Sequence, residues 1–272
     1  MGVVESFIVK IGDENISIKA PKLELDSNIK ELGEYLGVSF DVLKKELEKK
    51  SERYGGFGKY VKVSEEEWNS RKINQNKAKE IMKFYSETEN YMPELMIVSA
   101  SEDKQKLRRF IAAYCKKEGV KKILDFGCGV GDDCIIAALN GLSADGVDIE
   151  SKTFDFAKWR FNKYGVNVNT FNINEEFFNE KYDAINCIEV LQHLPDVEKT
   201  LEQFYENLNE NGLLFLAFRF KGNYTLALKK NEKYENNFDG VVRKKGFELI
   251  DKVHMWGPKD SSGKWLYVFK KN

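Results

Sequence analysis

The stretch Lys122-Ile123-Leu124-Asp125-Phe126-Gly127-Cys128-Gly129-Val130-Gly131-Asp132-Asp133 holds the residues best placed for chemistry. An apolar run bounded by glycines reads as a buried parallel strand. This one carries a carboxylate, Asp125, near its end. Glycines at 127, 129 and 131 let the backbone turn sharply and let a ligand approach with no Cβ in the way. Asp132 or Asp133 is the expected cap of a following helix, whose unpaired N–H groups face the same loop. The spacing selects the ligand. A dinucleotide fingerprint, Gly-x-Gly-x-x-Gly, would need glycine where Asp132 stands. An aspartate beside the helix start also repels a pyrophosphate, so a nucleotide-sized ligand with a positive centre and no phosphate is the better match. The plainer alternative is a strand–loop–helix turn of some other α/β protein.

Those residues need elements to hold them. The first twenty residues alternate (Phe7, Val9, Ile11, then Ile16 and Ile18 beyond Asp13-Glu14-Asn15) and predict a small hairpin. Apolar residues at helical spacing predict two helices over 25–50, broken near Gly37-Val38-Ser39 with Ser39 as the second cap. Tyr54-Gly55-Gly56-Phe57-Gly58 reads as a joint. Ser64-Glu65-Glu66-Glu67 has the form of a capping box and predicts a long helix to about Tyr85. Another helix is expected from Ser99-Ala100-Ser101-Glu102 to Gly119. Strands over 121–126, 143–149, 167–172, 182–188 and 211–219 then alternate with helices starting near Asp132, Ser151, Glu175 and Asp196, which predicts an α/β, doubly wound, mostly parallel sheet. The segments 247–250 and 265–269 break the rhythm: with only a Gly257/Pro258/Gly263 loop between them, they read as an antiparallel pair.

Asp145-Gly146-Val147-Asp148-Ile149 is a second strand ending in an acid. Tyr182-Asp183-Ala184-Ile185-Asn186-Cys187-Ile188-Glu189-Val190-Leu191-Gln192-His193-Leu194 is a further strand running into a loop. Over roughly residues 100 to 272, this order of segments resembles the class I S-adenosylmethionine-dependent methyltransferases. In its fourth-strand motif it is similar to the small-molecule enzymes of the ubiquinone-biosynthesis type, with Gln192 in place of their usual glutamate. The resemblance implies a seven-stranded sheet whose last strand is reversed, and an N-terminal hairpin-and-helix appendage outside the shared region. It implies three parts: a hairpin and helices over 1–60 as a substrate or partner module, a linking helix and lid over 61–100, and a cofactor-binding domain over 101–272.

What the resemblance implies for the site is specific. S-adenosylmethionine would lie against Asp125, Phe126, Gly127, Cys128, Gly129 and Gly131. Asp148, beside Ile149, would accept the ribose hydroxyls. Asn172, with Asn174 as a rival, would face the adenine, and Cys187 would line the cofactor. Methyl transfer is an in-line displacement, so positioning carries most of the work. For a phenol, alcohol or amine acceptor His193 is the candidate base, or else it closes its loop by hydrogen bonding. Tyr85, Tyr91 and Met92 are candidate substrate contacts, or plain packing. His254 is a second histidine that could reach the same cleft. Cys187 lacks the preceding proline of a cytosine-5 methyltransferase nucleophile, and Asn186 lacks the Pro-Pro-Tyr that would mark adenine-amino or glutamine methylation.

Bulk composition bounds the rest. Lys plus Arg total 43 against 44 Asp plus Glu, so charge gives no case for a nucleic-acid partner. The basic run Lys44, Lys45, Lys49, Lys50 and Arg53 is interleaved with Glu46, Glu48 and Glu52, as on a solvated helix face. Scattered cysteines, two histidines, no secretory layout and no 18-residue apolar run predict a cytoplasmic protein with neither a multi-histidine metal site nor a membrane span. A small-molecule acceptor is the expected substrate. An RNA or protein acceptor, and a non-catalytic S-adenosylmethionine-binding subunit, are the competing readings.

Overall fold

The computed structural model describes residues 3–173, 180–221, 227–256 and 264–272. The alternating start folds as an antiparallel hairpin, β1 (Val4–Ile11) and β2 (Glu14–Pro21), turned at Gly12 with its positive φ of 60°. Helices α1 (Leu25–Leu36) and α2 (Phe40–Glu52) follow, parted at left-handed Gly37. The basic run on α2 is partly neutralised: Lys44 pairs with Asp26, Lys50 with Glu46 and Arg53 with Glu66.

The expected long helix from Ser64 is instead two helices, α3 (Val61–Ser70) and α4 (Ala78–Glu87). Ser64 lies inside α3, fully buried, and caps nothing. The chain breaks after it because Lys72 takes a φ of 52° and the Asn74 side chain accepts the Asn76 N–H, a local turn that competes with helix. Then come α5 (Tyr91–Ser99) and α6 (Glu102–Lys117), the latter capped by the Ser101 hydroxyl accepting from the Lys104 N–H.

The main sheet contains β3 (Lys122–Phe126), β4 (Ser143–Asp148), β5 (Val168–Asn172), β6 (Tyr182–Ile188), β7 (Leu208–Ala217), β8 (Phe247–Trp256) and β9 (Lys264–Lys271). Their spatial order is β5-β4-β3-β6-β7-β9-β8, with β9 antiparallel to both β7 and β8 and the other pairs parallel. Helices α7 (Asp132–Leu139), α8 (Lys152–Tyr164) and α9 (Val197–Asn207) make the crossovers. Ser151 caps α8 and Asp196 caps α9. Neither Asp132 nor Asp133 caps α7: Gly131 is the cap residue, and both aspartates sit in the first helical turn, tied to arginines. A short helix, α10 (Phe238–Lys244), not expected from the sequence, precedes β8 and buries Phe238 and Val242. The expected helix start at Glu175, the residue Asn174 and the loop of Gly257, Pro258 and Gly263 lie outside the described residues.

Apolar packing explains the layering. One face of the sheet (Ile123, Ala184, Phe215, Val268) packs on α6 and α7 and takes in Ile11, Ile18 and Ala20 of the hairpin. The other face (Leu124, Phe126, Ile185) packs on Leu201 and Phe204 of α9 and Phe238 of α10. A third cluster joins Ile29, Leu32, Leu43 and Leu47 of the first two helices to Met96, Val130 and Phe156. Met92 belongs to that core. No helix among the described residues is long and apolar enough to cross a membrane.

Candidate functional site

In the strand order the chain reverses direction between β3 and β6, the place where ligands bind in open α/β sheets. The glycine loop after β3 sits there. Gly127 and Gly131 take φ values of 80° and 79°, which only glycine adopts without strain. Space is equally tight: a Cβ at Gly127 would lie 2.3 Å from Val190 Cγ2, and one at Gly131 2.5 Å from Phe161 Cε1. The Gly127 and Cys128 N–H groups both donate to the Val147 carbonyl, at 2.7 and 3.0 Å, tying the loop to the end of β4.

A cavity of about 320 Å³ opens beside the loop. Phe126, Gly127, Asp148 and Ile149 line it from the sheet edge, and Tyr85, Tyr91 and His193 from the opposite side. Asp148 Oδ2 accepts the Gly129 N–H at 2.6 Å, and Oδ1 accepts its neighbour Ile149 N–H at 2.7 Å. Burial pushes its carboxyl up to about 6, against the pull of those two donors.

Other expected site residues lie behind this surface. Asp125 faces the α6–α7 side: Oδ1 accepts from Asn186 Nδ2 at 3.0 Å and Oδ2 from Cys134 Sγ at 3.5 Å. Burial, then the charge of Asp133, pushes its carboxyl well above the usual range. Strand alternation is the reason, since Phe126 takes the cavity face and Asp125 the other. Cys128 turns its thiol towards Gly146, and Cys187 is fully buried within β6. Gly129 and Gly131 shape the loop from outside the cavity lining, and at the end of β5 it is Ile173, one step past Asn172, that reaches the cavity. His254 pairs across the strands with Trp265, rings 5.0 Å apart, away from the cavity lining.

Tyr85, from α4, connects to His193, in a short turn after β6. Their rings meet edge-on at 5.2 Å, and the phenol oxygen is 3.4 Å from His193 Nδ1. Tyr91 meets Tyr85 edge-on at 4.9 Å. Burial raises both phenols, so each stays a neutral hydroxyl.

Glu189 is a cavity residue that the sequence did not single out. Just past β6, it has a φ of 62°, rare for a residue that is not glycine. Its N–H donates to the Ala217 carbonyl at 2.7 Å and its carboxylate pairs with Lys264 of β9. Burial alone would raise this carboxyl. The Lys264 ammonium, helped by Lys104, takes it down to about 2, so it is an anion across the whole working pH range. The available signal was position: it is a third acid at the same sheet edge as Asp125 and Asp148, one residue beyond the apolar run.

A doubly wound sheet of this order, with a glycine loop and a strand-end acid at its switch point, is the architecture of class I methyltransferases. The magnesium protoporphyrin IX methyltransferase of Synechocystis PCC 6803 superposes with a TM-score of 0.53 at 15% identity, covering 74% of this chain and 98% of that one. The N-methyltransferase NodS of Bradyrhizobium japonicum WM9 gives 0.52 at 13% identity, over 70% and 96%. These likenesses speak to the fold. Residues 99–252 match the family profile described as a methyltransferase domain, and the chain belongs to that family. Among curated relatives, the ubiquinone biosynthesis O-methyltransferase of Saccharophagus degradans is 29% identical over 132 residues, 43% of this chain and 56% of that protein. Its namesake from Pseudomonas savastanoi pv. phaseolicola is 31% identical over 101 residues, 36% and 44%. The chain thus spans about half the length of the curated relatives it matches.

Proposed function

We propose that this chain transfers a methyl group from S-adenosylmethionine to a hydroxyl of a small molecule. The observation that carries the reading is that two strand-end carboxylates, Asp148 and Glu189, face one largely apolar cavity beside the glycine loop, with Asp196 and Lys199 also in its lining. The residues present fit such a donor. Asp148, at a strand end facing the cavity, can accept the vicinal hydroxyls of a ribose. Glu189, permanently ionised, suits the cationic end of the molecule. Asp132 stands where a pyrophosphate loop needs glycine, which speaks against a dinucleotide.

When bound, the donor supplies an activated methyl on a sulfonium leaving group. The chain's own task is then to align an acceptor oxygen and remove its proton. Tyr85 and Tyr91 supply aromatic walls for an acceptor ring, and His193 sits between them and the loop. His193, whose Nδ1 lies 3.4 Å from the Tyr85 hydroxyl, is the imidazole in the cavity lining suited to take the acceptor's proton. The names of the curated relatives support oxygen as the methylated atom.

Calorimetric titration with S-adenosylmethionine and S-adenosylhomocysteine is the test. The wild-type chain should bind both, and Asp148→Asn should weaken binding at least tenfold, the weight of a hydrogen bond to a charged group. A wild-type chain that binds neither overturns the reading.

A further inference from the structure

We infer that Arg160, held by Glu31 of the N-terminal helices, is a positioning residue that fixes the shape of the glycine loop and so sets the affinity for the methyl donor. The inference rests on the donor site proposed above. Arg160, on α8, is a fully buried guanidinium. Its Nη1 donates to the Val130 carbonyl at 2.6 Å and to Asp132 Oδ1 at 2.7 Å, and its Nε lies 3.4 Å from Glu31 Oε1 of α1. Asp132 in turn receives Arg108 of α6 at 3.0 Å and the hydroxyl of Ser99 on α5. One charge cluster therefore joins α1, α5, α6, α7 and α8 directly behind the loop.

The point of contact matters. Val130 is flanked by Gly129 and Gly131, both left-handed, with φ of 54° and 79°. A backbone with two such neighbours has many other conformations open to it. Arg160 grips the carbonyl of Val130 while Asp148 grips the N–H of the preceding residue, Gly129, at 2.6 Å. The two side chains pull on either end of a two-residue segment, and the one facing the cavity is the proposed ribose acceptor. Val130 also packs in the apolar cluster of α1 and α2. The N-terminal helices therefore reach the donor site twice, once through Glu31 and once through this packing.

Buried ion pairs contribute little net stability, because desolvation offsets their attraction; what they fix is geometry. Arginine suits the task because one nitrogen hydrogen-bonds both the Val130 carbonyl and Asp132 while the spread charge of the guanidinium also faces Glu31, and a lysine ammonium is a single point.

The test compares S-adenosylhomocysteine affinity, by calorimetry, for the wild-type chain, Glu31→Gln and Arg160→Lys. Lys163→Ala is the control, because it breaks a surface ion pair between the same two helices, with Glu34, that does not reach the loop. We expect Arg160→Lys to bind about tenfold more weakly, the weight of one charged hydrogen bond, and Glu31→Gln, which removes an ion pair without a hydrogen bond, to bind severalfold more weakly. The control should bind as the wild type does. The Gly129 amide resonance, shifted downfield by its carboxylate partner, should move upfield in both network variants. Unchanged affinity and an unchanged Gly129 resonance in Glu31→Gln overturn the inference, even if its melting temperature falls. That variant decides alone if Arg160→Lys does not fold. A wild-type chain without affinity overturns the donor reading instead.

Discussion

At the scale of single residues, the site is built from groups held in unusual states. Glu189 keeps a left-handed backbone, which costs about 1–3 kcal/mol, and the surrounding contacts with Ala217 and Lys264 hold it there. Such strain persists where it aims a side chain, and here it aims a carboxylate at the cavity. His193 sits a few residues further on. If it takes the acceptor's proton, His193→Ala should cut turnover by roughly a hundredfold or more while leaving donor affinity intact; single-turnover rates with the identified acceptor would show this. An unchanged rate would leave it a loop-closing residue. Asp148 was legible in the sequence because it ends an apolar strand at a recognisable distance from the glycine loop. Glu189 was not, because an acid after a strand reads as an ordinary loop residue until the tertiary fold supplies Lys264 from 75 positions away.

At the scale of elements, α5 carries a buried liability. Burial pushes the Glu94 carboxyl up to about 7, and the charge of Glu65 adds to it. The folded chain thus holds a proton that the unfolded chain releases near 4.5. Stability from this group is full below that value and declines as pH rises to about 7, where the folded carboxyl ionises without compensation. Glu94→Gln should remove that slope and stabilise the chain on the alkaline side by about 3 kcal/mol, read from denaturant midpoints on either side of the window. Helix starts were legible where a small polar residue precedes the apolar stripe, as at Ser101, Ser151 and Asp196. The motif at Ser64 failed because Tyr60 and Val63 already belong to the buried stripe of α3, so the helix starts upstream of the apparent box. Local pattern marks a cap only when the stripe begins after it.

At the scale of the whole molecule, the N-terminal hairpin is part of the main core rather than a loose attachment, since Ile11, Ile18 and Ala20 are buried with α6 and α7. Ile18→Ala should therefore cost about 2–5 kcal/mol, measured by urea unfolding, and the loss should appear in a single transition of the whole chain. A separate early transition for the hairpin would contradict that. The mostly parallel character of the sheet was readable from the alternation of strands and helices, and its reversed end from the final antiparallel pair. The attachment of the hairpin was not, because a two-stranded piece with one apolar face shows that it must be covered but not by what.

The position of β9 has a consequence for how the protein comes into being. This strand follows β8 in the chain yet lies between β7 and β8, and it brings Lys264 to Glu189. β8 meets β9 across a short connection, whereas β9 must also reach back to β7 (Leu213 opposite Lys270), a non-local closure of the slow kind. Until that strand arrives, the pocket's strained glutamate lacks its countercharge. The proposed donor site is therefore completed late in maturation, in one step, when the β8–β9 hairpin slots into the sheet.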